Sequence, residues 1–307
     1  MVKISKILKS SILGFFGIIV FLAIWGLVEP YFIDVEQKIA VIPNLPPAWE
    51  GKRIAQLTDF QVGMWFDNTN TIRRSIDTLI EKRPAAVLIS GDFIYHSLPN
   101  ASEEIGKVTE IIQPLIQENI PTYAVLGNHD YSHKPPKKEL GEQVKTALEK
   151  IGVSVLQNEA VEINSPTVKS GNEPLYLVGI GSHIAKNDDV TKALKGVSNY
   201  SGGVRSANSP PRIVMMHNPK SFAAFPPNTA PLAVAGHTHG GQIRIPFTPQ
   251  WSWISLVKNE EIYGDGWIKN YGNEGNNLYV NRGIGFSDIP IRINCRPEIT
   301  LFTLRSK

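Results

Sequence analysis

Acidic, amide and imidazole side chains recur in this chain where short apolar runs end. They are Asp59 in LTDFQVG, Asp92 in ISGD, Asn128 and His129 in LGNHD, His217 in VMMHNP, and His237 and His239 in AGHTHGG. In open α/β sheets, ligand sites lie at the carboxyl ends of the strands. The pattern predicts that these side chains meet at one site, and an aspartate at a strand end is a good starting point for binding a metal ion.

The histidines are unevenly distributed along the sequence. Four of the seven lie at these predicted strand ends, each beside a glycine, an asparagine or another of the four. Histidines packed in a hydrophobic core would not cluster in this way, so we treat the four as candidate functional groups. The other three, which we assign to structural or solvent-facing positions, are His96, His133 and His183.

Apolar periodicity predicts the elements that position these side chains. Residues 53–59 form a short strand, 70–83 a helix and 85–92 a second strand. Another helix and a third strand that runs into Asn128 follow, and a further helix ends at Gly152. Strands and helices that alternate in this way form a right-handed parallel α/β unit.

The second half of the chain is richer in strands. We expect residues 153–163 and 175–181 to belong to a second sheet, followed by strands that end at His217 and His237 and by a strand-rich tail. Two polar loops are also predicted, at residues 164–174 and 199–211. The predicted fold class is therefore α/β, with two facing mixed β-sheets flanked by helices.

The composition limits the classes of function. The 307 residues carry a formal net charge of +3, without the long basic tract that would suit nucleic acid. The single cysteine, Cys295, excludes an internal disulfide bond and a cysteine-based zinc site. We expect no nucleic-acid partner, and the sequence gives no sign of an obligate protein partner.

The N-terminus has the pattern of a membrane anchor. Three lysines precede an uncharged apolar run from Ile12 to Val28, and acidic residues follow it. With its flanking residues, the run reaches the roughly 20 residues that a transmembrane helix needs. The lysines favour a cytoplasmic N-terminus and a domain on the other side of the membrane. No small-residue cleavage site follows the run, which favours an uncleaved helix.

The anchor sets the expected organisation and location of the chain. It occupies residues 1–30, a linker with an edge strand follows at 31–52, and the remaining domain spans 53–307. We expect a single-pass protein of the cell membrane, with its domain outside the cytoplasm. A cleaved signal peptide and a buried core helix are the alternatives for the apolar run.

Five short blocks give the chain a family resemblance. They are TDFQ at residues 58–61, GD at 91–92, GNHD at 127–130, MHNP at 216–219 and GHTHGGQ at 236–242. In this order they resemble the calcineurin-like metallophosphoesterases, over about residues 53–304. The last block, the tail and the anchor look most like a membrane-associated bacterial branch. That branch includes broad phosphodiesterases and enzymes that act on UDP-diacylglucosamine.

The resemblance implies a centre of two divalent metal ions and a phosphoester substrate. Two ions about 3.5–4 Å apart would neutralise the phosphoryl oxygens and lower the pKa of a bridging water. The implied ligands are Asp59, residue 61 and His239 for the first ion, Asn128, His217 and His237 for the second, and Asp92 for both. Manganese is the expected metal, with iron, zinc and magnesium as alternatives. His129 would stabilise the transition state or protonate the leaving oxygen, and Asp130 would orient its imidazole.

The family pattern usually has histidine at position 61, whereas this chain has Gln61. Its carbonyl oxygen is a harder and weaker ligand than imidazole, which would shift metal preference towards manganese or magnesium. Two other interpretations stay open: Gln61 only hydrogen-bonds a water or a neighbouring ligand, or the first site is empty. We expect a weakened but occupied site because Asp59, Asp92 and His239 are all present.

These features predict a membrane-anchored phosphodiesterase or pyrophosphatase that works through a metal-activated hydroxide. A lipid-linked or cell-envelope substrate would suit the anchor. One alternative is a UDP-2,3-diacylglucosamine pyrophosphatase of lipid A synthesis, although such a substrate lies on the cytoplasmic face. The other is a non-catalytic envelope protein with a degraded metal site. The presence of His129, which is not an implied metal ligand, argues against that second alternative.

Overall fold

The structure is a computed structural model of the chain. It describes residues 2–307 except 65, 67, 96–100, 133–134, 164–173, 198–208, 246–250, 253–263 and 269–270. His96, His133 and most of the two predicted polar loops therefore lie outside the described residues. The α-helices are α1 (Val2–Val28), α2 (Thr69–Lys82), α3 (Ala101–Gln117), α4 (Lys138–Lys150) and α5 (Val190–Lys195). The strands are β1 (Asp34–Ile42), β2 (Arg53–Leu57), β3 (Ala86–Ile89), β4 (Thr122–Ala124), β5 (Ser154–Val155), β6 (Glu159–Ile163), β7 (Leu175–Gly179), β8 (Arg212–Met215), β9 (Ala233–Ala235), β10 (Gly266–Ile268), β11 (Leu278–Val280) and β12 (Glu298–Ser306).

The first sheet contains the predicted parallel α/β unit. Its strand order is β1-β12-β2-β3-β4-β5, and β2 to β5 run parallel to one another. The helices α2, α3 and α4 connect these strands and pack against the sheet. In α2 the buried residues Ile72, Ile76 and Leu79 recur every three or four positions, so they form the apolar face that packs on the strands. The carboxyl ends of β2, β3 and β4 therefore lie at one edge of the sheet.

The second sheet faces the first. Its strand order is β10-β11-β9-β8-β7-β6, with β7, β8, β9 and β11 parallel and antiparallel strands at both edges. Leu88 and Phe302 of the first sheet share one buried core with Leu177 and Met215 of the second. The helix α5 packs with the other face of the second sheet. Two mixed sheets flanked by helices confirm the predicted fold class.

One predicted element is wrong in its sheet assignment. We expected residues 153–163 in the second sheet, but β5 pairs with β4 of the first sheet and only β6 pairs with β7 of the second. Asn158 lies between them with φ of 56°. Asparagine tolerates this left-handed conformation, which lets the chain turn from one sheet to the other.

The helix α1 is apolar and meets the sheets at its C-terminal end. Residues 7–31 are long and apolar enough to cross a membrane, and almost all of this stretch is exposed. The Gly26 carbonyl accepts a hydrogen bond from the Arg292 N–H at 3.0 Å. The Glu29 carboxylate accepts from the N–H groups of Asn294, at 2.9 Å, and Cys295. These bonds attach the end of α1 to the segment that precedes β12.

Candidate metal centre

The seven predicted metal ligands follow strands of both sheets. Asp59 and Gln61 follow β2, Asp92 follows β3, Asn128 follows β4, His217 follows β8, and His237 and His239 follow β9. The facing sheets present these strand ends to each other, so residues from distant parts of the sequence come together. The structure brings all seven residues into one connected group of contacts at 3.4 Å or less, in which the His237 backbone N–H joins Asp59 and His239 to the other five.

Five of these residues have a left-handed backbone conformation. The φ angles are 55° at Asp59, 53° at Gln61, 56° at Asp92, 73° at His237 and 49° at His239. Positive φ is uncommon outside glycine because the Cβ atom crowds the backbone. Such strained conformations persist where the surroundings impose them, and they concentrate at functional sites. The concentration at this group therefore supports a functional centre.

We call Asn128, His217 and His237 the imidazole half of the centre. The His217 Nε2 atom lies 3.1 Å from Asn128 Oδ1, 3.2 Å from His237 Nδ1 and 3.2 Å from Asp92 Oδ2. The ligand atoms of Asp92, His217 and His237 all lie within 4.8 Å of one another. On its other side, His217 Nδ1 donates to the Ser90 carbonyl at 2.8 Å, which directs Nε2 towards these groups.

We call Asp59, Gln61 and His239 the amide half. The Asp59 Oδ1 atom lies 3.4 Å from His239 Nε2, and Gln61 Nε2 donates to Asp92 Oδ2 at 2.9 Å. Gln61 Oε1 and His239 Nδ1 are buried, and neither has a hydrogen-bond partner among the residues that the structure describes. A buried polar atom without a partner costs about 1–3 kcal/mol. A bound cation would satisfy such atoms.

Two glycines allow the backbone to approach the carboxylates closely. A Cβ atom on Gly127 would lie 2.1 Å from Asp92 Oδ1, and one on Gly236 would lie 2.5 Å from Asp59 Oδ2. Only glycine is compatible with that spacing. Together with the unpartnered buried atoms and the mixture of oxygen and nitrogen donors, this arrangement fits a pair of divalent metal ions.

Burial and nearby charges shift the pKa values of Asp92 and Asp59 in opposite directions. Burial opposes the ionisation of Asp92, but the nearby His217 and His129 outweigh it and hold the pKa of Asp92 well below its usual range. Burial alone would lower the pKa of His217, but the negative charge of Asp92 outweighs it and raises that pKa to about 9. Burial raises the pKa of Asp59 to about 7, because the His217 charge offsets it only in part. The carboxylate shared by the two halves is thus already ionised, whereas that of the amide half titrates near neutral pH.

His129 lies beside the shared carboxylate. Its backbone N–H donates to Asp92 Oδ1 at 2.8 Å, and its imidazole stacks on the Tyr95 ring with the centroids 5.1 Å apart. The Nδ1 atom lies 2.7 Å from the Tyr95 carbonyl, which can only accept, so Nδ1 carries a proton. The Nε2 atom is therefore the one that can take up and release a proton.

Asp130 holds two of the metal-centre loops together. Its buried carboxylate accepts hydrogen bonds from the N–H groups of Gly127 at 2.8 Å, Asp92 at 3.0 Å and Phe93 at 2.8 Å. Burial and the Asp92 charge raise its pKa to about 7. The sequence interpretation gave Asp130 the task of orienting the His129 imidazole. That role stays a prediction, and the contacts add another, which is to fix the loops after β3 and β4.

The sequence analysis did not single out Arg292, which is fully buried behind His239. Its guanidinium donates to the carbonyls of Arg282 at 2.9 Å, Gly283 at 3.1 Å, Gly285 at 3.0 Å and Cys295 at 3.1 Å. Burial and this cation lower the pKa of His239, which keeps the imidazole neutral and able to bind a metal ion. A lone arginine in a glycine-rich tail carries no pattern that would have revealed this role.

Comparisons with known proteins agree with this geometry. The family model for calcineurin-like phosphoesterases matches residues 52–241. Phosphodiesterase YaeI of Escherichia coli is 30% identical over 225 residues, which cover 73% of this chain and 72% of that protein. The metallophosphoesterase YkuE of Bacillus subtilis is 26% identical, over 91% of this chain and 87% of its own. A transmembrane protein with a metallophosphoesterase domain from Danio rerio is 26% identical, over 92% of this chain and 60% of its own.

The family match covers well over half of the chain and ends within the GHTHGGQ block, so it contains every predicted ligand. The two matched bacterial relatives cover most of their own lengths as well. The non-catalytic alternative finds no support in these matches. The chain belongs to the calcineurin-like phosphoesterase family and is a metal-dependent phosphoester hydrolase.

Proposed function

We propose that this chain is a membrane-anchored phosphodiesterase whose natural substrate carries a lipid or cell-envelope group, with pyrophosphate bonds as a second type of target. The observation that carries the proposal is the two-half ligand group joined through Asp92, which suits a phosphoryl group held between two cations. The similarity to a relative named as a phosphodiesterase supports diesters as the preferred bond.

In this proposal the amide half would hold one divalent ion, the imidazole half would hold the other, and Asp92 would serve both halves. When bound, the ions supply positive charge against the phosphoryl oxygens and acidify a water molecule. Manganese is the metal that we propose, because an amide oxygen in place of an imidazole favours harder cations. Asp130 keeps Asp92 in place through the loop hydrogen bonds described above.

We assign proton transfer to His129. The hydrogen bond from Nδ1 to the Tyr95 carbonyl and the stacking on the Tyr95 ring hold the imidazole in one orientation. Its backbone N–H is bonded to Asp92, so the imidazole remains next to the shared carboxylate. A protonated Nε2 in this position would donate to the leaving oxygen of the ester.

The location that we propose rests on α1. The exposed apolar helix and the similarity to a relative named as a transmembrane protein both support an anchor. The lysines before the helix favour a domain outside the cytoplasm. This orientation disfavours a UDP-linked lipid precursor as substrate, because such precursors lie on the cytoplasmic side. Protease accessibility in spheroplasts tests it, since protection of the domain would move the assignment to the cytoplasmic face.

Hydrolysis of bis-p-nitrophenyl phosphate by the full-length chain, purified in detergent and depleted of metal, tests the activity. We expect hydrolysis after manganese is added, and slower hydrolysis of the monoester p-nitrophenyl phosphate. His129→Gln is the matched variant, which should retain bound metal but lose most of the activity. A folded protein that is inactive with manganese, iron, zinc and magnesium would overturn the proposal.

A further inference from the structure

Two short extended segments after the GHTHGGQ block pair with each other and carry an apolar pair on their outer face. Arg244 and Ser252 form an antiparallel bridge, which places Ile245 directly opposite Trp251. Residues opposite each other in such a pair point to the same face. Arg244 and Ser252 are buried, whereas Ile245 and Trp251 are each 52% exposed. The two paired segments therefore have their polar side chains inside and their apolar side chains outside, the reverse of a surface that faces water.

The outer face of these paired segments is continuous with the segment that holds the end of α1. Ile243 forms a parallel bridge with Ile293, and the Arg244 N–H donates to the Ile293 carbonyl at 2.9 Å. Because side chains alternate along extended backbone, Ile243 and Ile245 share the face of Ile293. We call Ile243, Ile245, Trp251, Ile291 and Ile293 the apolar strip.

The helix α1 packs on this same face. A Cβ atom built on Gly26 would lie 3.1 Å from Ile291 Cβ and 3.4 Å from Ile293 Cγ1, so the helix backbone rests directly on the strip. Adjacent extended segments lie about 4.8 Å apart and rise about 3.3 Å per residue, which places Ile245 within roughly 10 Å of Ile293 under α1 and Trp251 one segment further out. The bonds from Glu29 to residues 294 and 295 hold this contact in place.

The inner face of the same layer supports the metal centre. Arg244 donates to the Gly240 carbonyl, and Arg292 lies behind His239. Ile293 N–H donates to the Gln242 carbonyl at 3.1 Å, three residues beyond His239. One thin layer of chain therefore has the end of α1 and the apolar strip on one side and the His239 segment of the metal centre on the other.

We propose that the apolar strip lies at the bilayer surface beside α1, with Ile245 and Trp251 inserted at the boundary between headgroups and acyl chains. The bilayer is the surface that covers the strip. This follows from α1, because a strip that continues from the end of a transmembrane helix lies at the depth where that helix leaves the bilayer. Tryptophan is enriched at this depth because its ring is apolar and its N–H is polar. Tyr31 and Phe32, just after α1, are 40% and 54% exposed and are aromatic residues of the kind found at this depth.

The inference rests on the proposed anchor and narrows the substrate class. With the strip at the bilayer, the metal centre lies one layer of chain from the headgroup region. The phosphoester of a membrane lipid lies in that region, so the site is placed to act on headgroup phosphodiesters without removing the lipid from the membrane. A soluble phosphodiester needs no such placement.

Photo-crosslinking of the full-length chain in vesicles of phosphatidylethanolamine and phosphatidylglycerol tests the strip. The probe is p-benzoylphenylalanine at position 245 or 251. The matched control carries it at Lys150, which is exposed at the C-terminal end of α4, at the opposite pole from the metal centre. A third position, Ile19 in the middle of α1, reports whether the helix is in the bilayer. Mass spectrometry of the irradiated protein counts phospholipid adducts.

We expect phospholipid adducts at 19, 245 and 251 that are several-fold more abundant than at 150. If adducts form at 19 but neither 245 nor 251 gives more than the Lys150 control, the bilayer contact of the strip is overturned while the anchor stands. No adducts at any of these positions, in chains that retain hydrolase activity, would overturn the anchor and with it the inference. Hydrolysis of bis-p-nitrophenyl phosphate by each labelled chain shows that the fold is intact, and it does not depend on the location of the strip.

Discussion

The two halves of the metal centre differ in how many of their buried polar atoms have a partner among the protein's own groups. In the imidazole half, His217 Nε2 is within 3.2 Å of three other ligand groups, and its Nδ1 is bonded to the Ser90 carbonyl. In the amide half, Gln61 and His239 each have a buried atom without a partner in the described part of the chain. The side chains of the first half contact one another, whereas the second has polar groups that a bound ligand would satisfy.

This difference indicates how a departure from a family pattern can be accommodated. The Gln61 amide donates to the carboxylate that the halves share, so the glutamine keeps one structural contact even where it is a weak ligand. Its carbonyl oxygen remains available for a cation. The contact matches one interpretation left open by the sequence, a bond to a neighbouring ligand, and the weakened ligand role of the carbonyl oxygen stays a prediction.

The largest expected effect comes from substituting Asp92, whose carboxylate both halves share. Asp92→Asn keeps the shape of the side chain but removes the charge that both halves use. We expect kcat/KM to fall at least about 100-fold, because changes to groups behind metal ligands already cost 10–100-fold. Elemental analysis should show metal lost from both halves. Retention of one ion per chain would contradict the shared role.

The pH dependence of metal affinity should distinguish the halves. Binding to His217, whose pKa is raised to about 9, requires loss of a proton below that pH. Asp59, with a pKa of about 7, is already ionised above neutral pH. Between pH 7 and 9, affinity at the imidazole half should rise by about tenfold per unit while that at the amide half stays level. Calorimetric titration of the metal-free chain at several pH values measures both, and parallel rises would contradict the assignment.

Loosening the loops should affect both halves alike. Asp130→Asn replaces one accepting oxygen with a donor that faces the N–H groups of Gly127 and Asp92. We expect a loss of about 10–100-fold in activity, which is typical of groups that position ligands. Activity measured against manganese concentration would show a raised requirement for metal. An unchanged metal requirement with lower activity would instead support direct action on His129.

The smallest effect should strengthen the amide half alone. Gln61→His supplies the imidazole that the family usually has, and should raise metal affinity there by about tenfold. Gln61→Leu is the control, because it removes the amide at similar size and should lower that affinity. Elemental analysis after dialysis measures the occupancy of each variant. Equal occupancy in the original chain and in Gln61→His would count against a ligand role for position 61.

Much of this centre was predictable because its chemistry is local in sequence. Asp59, Asp92 and Asn128 each follow an apolar run that could only be a strand of a parallel sheet, and parallel strands place their ends together. The turn at Asn158 was missed, because nothing local shows which sheet a two-residue strand will join. The loop-fixing contacts of Asp130 were not predicted, because three of its N–H donors come from a loop that lies 36 to 38 residues away.

The sequence by itself determined the α/β fold class, the apolar N-terminal helix, the group of candidate ligands and the exception at residue 61, because periodicity and residue type are properties of short segments. Only the tertiary structure decided that Gln61 bonds to Asp92, that Arg292 lies behind His239, and that Gly26 rests on Ile293. These contacts join segments tens to hundreds of residues apart. Their geometry depends on how two sheets and one helix pack, which no local pattern encodes.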